Sequence, residues 1–223
     1  DDFAFAIDTD YPWDGKVTLK CTAAPARELA LHLRLPAWCR DAKVALAGDD
    51  VTAAAGNALG YATIRRVWKS GDTVELLLPM PVRTLQADPR AEALRGRVAF
   101  ARGPIVYCVE QCDQQAPIDQ LVALPGTELT PRRDDALGVA VLEGELAAAP
   151  APDWEGAGLY REQPRVLRTK VRLVPYAIWD NRKPGPMAIW LPQSPPPPRV
   201  GGPELAATIE LSFTSGYCDP EGL

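Results

Sequence analysis

Residues Glu28–Pro36 read ELALHLRLP. Leu29, Leu31, Leu33 and Leu35 recur at every second position, with Ala30, His32 and Arg34 between them. Successive side chains of a β-strand point to opposite faces, so this period writes one apolar face and one wet face. The same alternation recurs along the chain. KVTLKC (Lys16–Cys21) aligns Val17, Leu19 and Cys21 against Lys16, Thr18 and Lys20. DTVELLLP (Asp72–Pro79) aligns Val74, Leu76 and Leu78, and RTKVRLVP (Arg168–Pro175) aligns Thr169, Val171 and Leu173. ATIELSF (Ala207–Phe213) aligns Ile209, Leu211 and Phe213. Turn chemistry punctuates these runs at Asp14-Gly15, Gly48-Asp49, Gly71-Asp72 and Gly185-Pro186.

Many short half-buried strands between Gly/Pro turns predict an all-β fold, with two antiparallel β-sandwich domains in tandem. The 23 prolines and 17 glycines leave little room for long helices. The stretch ADPRAEALRG (Ala87–Gly96) reads as a hinge, which sets the first domain at 1–90 and the second at 91–192. Residues 193–203, in the stretch PQSPPPPRVGGP, read as a Pro-rich linker. Residues 204–223 read as the truncated start of a further β domain. The Ala-rich stretch Leu142–Ala151 reads as a helical turn closed by prolines.

With 223 residues, the chain is long enough to bury sizeable cores. Hydrophobic residues at 47% and charged residues at 24% are ordinary for a globular protein. The net charge of -5 and the lack of any basic stripe argue against nucleic acid as a partner. No apolar run approaches the ~20 residues of a membrane-spanning helix. The opening DDFAFAIDTD has neither an initiator Met nor the pattern of a signal peptide, and it starts in a strand-like run. That leads to the expectation of a chain cut from something longer. Five cysteines at irregular spacing argue against a disulfide framework.

Chemistry is suggested most directly by GRVAFARGPIVYCVEQCD (Gly96–Asp113), which offers Cys108, Glu110 and Cys112. The run reads as one central strand, bent at Gly103-Pro104. On a strand at ~3.3 Å per residue, positions four apart lie roughly 13 Å apart. Two thiolates on one zinc, each at ~2.3 Å, must sit within about 4 Å of each other. The stretch is therefore expected to be a core strand whose thiols are buried. His32, the only histidine, reads as a solvated or inter-sheet residue. Nucleophile-elbow, phosphate-loop and Rossmann patterns are absent. No catalytic residue, metal ligand or cofactor is assigned to this chain. The aromatic turns are the candidate binding residues: Tyr11 and Trp13 in YPWDG, and Tyr176 and Trp179 in PYAIWDNRKPGPMAIW. They suit either sugar stacking or packing against a neighbouring domain.

Five phrases in order carry a resemblance: YPWDGKV (Tyr11–Val17), LRLPAWC (Leu33–Cys39), RRVWKSGDTVELLLPMPVR (Arg65–Arg83), GRVAFARGPIVYCVE (Gly96–Glu110) and LVPYAIWDNRKPGPMAIWLP (Leu173–Pro192). Together they resemble the C-terminal β region of glycoside hydrolase family 127, the β-L-arabinofuranosidase family. The tail ATIELSFTSGYCDPEGL is similar to the opening of an accessory discoidin-like domain. The resemblance implies an (α/α)6 barrel ahead of residue 1. That barrel would carry a zinc-bound cysteine nucleophile, further Cys and Glu ligands, and a glutamate acid/base. Zinc would thus belong to the barrel, and Cys108, Glu110 and Cys112 would have no part in the chemistry. The expected function is a non-catalytic β-sandwich region of a bacterial glycosidase that braces the barrel and supports a homodimer. A carbohydrate-binding module with an aromatic platform is the alternative.

Overall fold

The computed structural model describes residues 2–52, 60–149 and 166–194. Among the described residues, seven strands build the first unit: β1 (Ala4–Thr9), β2 (Lys16–Ala23), β3 (Glu28–Arg34), β4 (Lys43–Leu46), β5 (Asp49–Asp50), β6 (Tyr61–Val67) and β7 (Thr73–Leu77). A five-stranded antiparallel sheet in the order β1-β2-β7-β4-β5 packs on the β3-β6 ladder. The period-two pattern places its residues as read. Leu33 and Leu35 are buried with Leu19, Cys21, Val74 and Leu76, while His32 and Arg34 stay outside. Trp68 closes this core, and its indole N–H donates to the Leu29 carbonyl at 2.9 Å, so its polar end is satisfied. Phe5 meets the Trp68 ring edge-on at 5.4 Å.

The two layers differ in width. β1 pairs with β2 in the register Phe5↔Cys21 and Ile7↔Leu19. Paired residues share a face, so Phe5 and Ile7 both lie on the core side of the sheet. Phe5 is covered by Trp68, whereas Ile7 is 63% exposed. The two-stranded ladder does not reach far enough to cover all of β1.

The second unit contains β8 (Val82–Leu85), β9 (Arg97–Arg102), β10 (Ile105–Glu110), β11 (Leu121–Val122), β12 (Leu129–Asp134), β13 (Val139–Ala148), β14 (Leu167–Pro175), β15 (Met187–Ala188) and β16 (Leu191–Pro192). They form one nine-stranded sheet along the path β11-β13-β14-β10-β9-β16, with β12 on β13, β15 on β10 and β8 on β9. The ten-residue β13 pairs with β12 over Val139–Gly144 and then with β11 over Ala147–Ala148. β9 is likewise shared between β8 and β16. The ends of the path meet where the Ala123 N–H donates to the Pro192 carbonyl at 2.9 Å. The sheet thus curls over its own core of Phe100, Tyr107, Leu121, Leu142, Leu173 and Leu191. The second layer of this β domain is therefore supplied by the curled ends of the same sheet.

Three readings of the sequence change. Leu142–Ala149 forms no helical turn, because Leu142 to Ala148 are strand residues of β13 and Leu142 and Leu146 face the core. Burial between two ladders outweighs the low strand preference of alanine. The stretch Gly96–Asp113 is a hairpin rather than one bent strand. Arg102 pairs with Ile105 across Gly103-Pro104, and Gly103 takes the positive φ of 55° that such a turn demands. The domain boundary also moves. β8 pairs with β9, so Ala87–Gly96 is a loop within the second unit and the change of sheet falls at Pro79–Pro81. Prolines there lack the N–H that would continue the β7 ladder. The linker beyond residue 194 and the expected strand at Glu204–Thr214 lie outside the described residues.

Gly15 sits where β2 meets the end of β7. Its carbonyl accepts the Leu78 N–H at 2.8 Å, and a Cβ on Gly15 would overlap the Leu78 carbonyl oxygen. Gly15→Ala should destabilise the chain by about 2 kcal/mol through overpacking of backbone on backbone. Gly71→Ala, at a φ of 96° with open space around it, should cost only about 1 kcal/mol. Urea unfolding midpoints compare the two.

Candidate functional site

β10 is buried on both faces. Tyr107 and Val109 enter the main core, while Cys108 faces a second cluster with Val139, Val141 and Val174. Glu110 ends the strand at 4% exposure and is the one charged residue buried among the described residues. An ionised carboxylate in such a place needs hydrogen bonds and a counter-charge. Both are supplied by the loop after β14. Glu110 Oε1 accepts the Asp180 N–H at 2.9 Å, and Glu110 Oε2 binds the Arg182 guanidinium. Arg182 also donates to both oxygens of Asp113, at 2.7 and 2.6 Å. The two carboxylates hold the guanidinium pKa above its usual range, Asp113 acting most strongly.

Asp113 reaches the cluster because a single 3-10 turn, Gln111–Asp113, follows β10 directly. The turn brings donor atoms of Glu110, Cys112 and Asp113 within 4.8 Å of one another. The sequence reading ran the strand on through Cys112 and so missed this proximity. The donor set nonetheless fits a metal poorly, since both carboxylates are already engaged by Arg182. Cys108 is a poor thiolate. Burial foremost, and the Glu110 charge next, push its pKa up to about 12, and its Sγ leans on the Val174 carbonyl at 3.6 Å. The cluster's chemistry is that of a clamp.

The clamp fixes the loop that carries two of the aromatic candidates. A 3-10 turn over Tyr176–Ile178 sends Ile178 inward against the Cys108 cluster. Asp180 adopts a left-handed φ of 60°, unusual for a non-glycine residue, with its N–H held by Glu110. Tyr176 and Trp179 project outward, 44% and 39% exposed. Their rings are parallel within 7°, with centroids 6.3 Å apart.

Trp13 is placed differently. It lies on the first unit in the turn that follows the cis Tyr11-Pro12 bond, yet it packs on the second unit's Cys108 cluster. Its carbonyl accepts Arg102 Nη1 at 2.7 Å. Trp13 is thus a seam between the units, and Tyr11 remains exposed beside it. His32 lies on the outer face of β3, with Nδ1 3.0 Å from Thr63 Oγ1. Sequence reasoning missed Arg182 and Asp113. The available signal was Glu110 itself, an acid in an apolar strand that requires a cation.

These features define a tandem of antiparallel β units, sewn together by an aromatic turn and presenting a clamped aromatic pair. The profile described as Beta-L-arabinofuranosidase, GH127 middle domain, matches residues 1–80. That of the Glycoside hydrolase family 127 C-terminal domain matches residues 82–192. The chain belongs to glycoside hydrolase family 127, and the junction of the two matches coincides with the change of sheet. A non-reducing end beta-L-arabinofuranosidase from Bifidobacterium longum subsp. longum is 28% identical over 195 residues, covering 82% of this chain and 29% of that protein. A crystal structure of a GH127 beta-L-arabinofuranosidase from Geobacillus stearothermophilus T6 superposes with a TM-score of 0.78 at 39% identity, covering 84% of this chain and 30% of that one. A further structure, described as a glycoside hydrolase, gives 0.76 at 36% identity, covering 85% and 32%. The chain therefore spans under a third of the length of these relatives.

Three outcomes follow from the clamp and from the burial of Cys108. Arg182→Ala should cost about 3 kcal/mol by leaving a buried carboxylate unpaired, and the added change Glu110→Gln should recover part of that loss. Urea midpoints of the single and double variants measure the recovery. Iodoacetamide at pH 8, read by peptide mass, should label exposed Cys112 and spare Cys108. The folded thiol of Cys108 has its pKa raised from 9.0, so the stability from keeping it neutral is intact below that pH and is lost as pH climbs through about 12. Cys108→Ala should flatten that alkaline slope.

Proposed function

We propose that this chain is the non-catalytic β region of a bacterial glycoside hydrolase similar to the β-L-arabinofuranosidases, and that it braces that enzyme's catalytic domain. The carrying observation is Ile7, a core-side residue of β1 that the described residues of its own sandwich leave 63% exposed. Phe3 is exposed on the same strand's approach and extends the apolar strip. Such a strip suits a neighbouring domain, and contacts between domains of one polypeptide typically bury roughly 600–1,500 Å². The coverage of under a third of the relatives' length supports a larger protein around this tandem.

In this reading the hydrolysis of O-glycosyl bonds belongs to the catalytic domain, and so does the zinc that the family resemblance implies. This chain's own candidate donors, Glu110 and Asp113, are engaged with Arg182, so no catalytic step is assigned to them. A homodimer through the β1 strip is the competing occupant. The carbohydrate reading has one observation in its favour, the parallel exposed rings of Tyr176 and Trp179.

Ile7→Asp separates these cases. In the full-length enzyme it should lower the thermal midpoint, since a carboxylate would be buried at the domain contact. In the chain alone, where Ile7 is wet, it should leave the midpoint unchanged. Equal effects in both, or a loss confined to a concentration-dependent dimer seen by sedimentation, would refute the brace.

A further inference from the structure

The loop Tyr176–Arg182 is built more firmly than a brace requires. The ring pair does not rest on a loose surface loop. Ile178 anchors one side of it in the Cys108 cluster, and Glu110 holds the backbone through the Asp180 N–H. Arg182 then ties Glu110 to Asp113 and closes the loop's far end. The buried charge network ties down the backbone that carries the two exposed rings before any ligand arrives, and such preorganisation removes part of the entropic cost of binding.

We infer that the Tyr176–Trp179 pair is a binding platform for neutral saccharide chains. The face of a sugar ring presents C–H bonds of slight positive charge, which suit the negative face of an aromatic ring. The two rings are parallel within 7° and stacked on each other, so the pair offers a sugar its outer faces and exposed edges. Beside them, the exposed Asn181 adds an amide that can both donate to and accept from hydroxyl groups. The loop's exposed charges are one acid, Asp180, and one base, Lys183, while Arg182 is paired within the clamp. That balance favours an uncharged ligand over an anionic polymer. The chain's family provides the setting, since a glycoside hydrolase works on saccharides. A platform on a domain of the same polypeptide would raise the local concentration of substrate chains around the enzyme.

The test is native affinity electrophoresis of the chain through gels containing soluble arabinan. The wild type should be retarded relative to an arabinan-free gel. Trp179→Ala and Tyr176→Ala should each weaken the apparent affinity about ten-fold, the loss expected for one aromatic contact. Tyr61→Ala removes an equally exposed ring from the first unit and should change nothing. Trp179→Phe keeps a ring face and should retain most of the retardation. If Phe loses as much as Ala, stacking is not the contact and the inference fails. It also fails if the wild type is not retarded by arabinan, or if Tyr61→Ala weakens binding as much as Trp179→Ala. Ile7→Asp lies on the other unit and should leave retardation unaffected, so this inference and the brace stand or fall separately.

Discussion

A carboxylate buried at the end of β10 organises the second unit's surface. Glu110 alone would impose a heavy desolvation cost, so its partners are obligatory. Meeting that demand draws the loop after β14 across the end of the sheet and bends the chain after Glu110 so that Asp113 can share the guanidinium. Two aromatic rings then stand exposed on the loop that these contacts tie down. The residue that looked most like chemistry is the one that sets the architecture.

The seam acts on a larger scale in the same manner. The nine-stranded sheet curls around one core, which leaves the outer face of β10, β13 and β14 to be covered by something else. Trp13 from the first unit covers part of it, and Arg102 fixes the turn by its carbonyl. Coverage is uneven elsewhere. The β3-β6 ladder is narrower than the five-stranded sheet, and Ile7 on the β1 side of that mismatch stays exposed.

The alternation of leucines in Glu28–Leu35 made the all-β character readable, because a half-buried strand writes its faces directly into the sequence. β9 and β10 were harder. Both are buried on each face, so no alternation marks their ends, and only Gly103-Pro104 hinted at the turn. The Ala87–Gly96 boundary failed for a related reason. Asp-Pro and Gly signals mark a loop, and a loop inside one sheet has the same composition as a hinge between two. At the site, Tyr176 and Trp179 were visible as turn aromatics, but their support by Arg182 was not, since a contact between residues about 70 positions apart leaves no local pattern. Trp13 illustrates the same limit, because an aromatic turn reads alike whether it meets sugar, solvent or the next domain.

The shared cover over Cys108 also bears on how such a chain can change over generations. The two units match separate family profiles, as interchangeable parts would. Trp13 and Arg102 make them interdependent. Recombination that brought in a foreign first unit would uncover an apolar cluster on the second, and the hybrid would have to carry its own aromatic turn at the same place. Inheritance should therefore treat the pair as one piece, with drift permitted in the loops and matched substitution required at the seam.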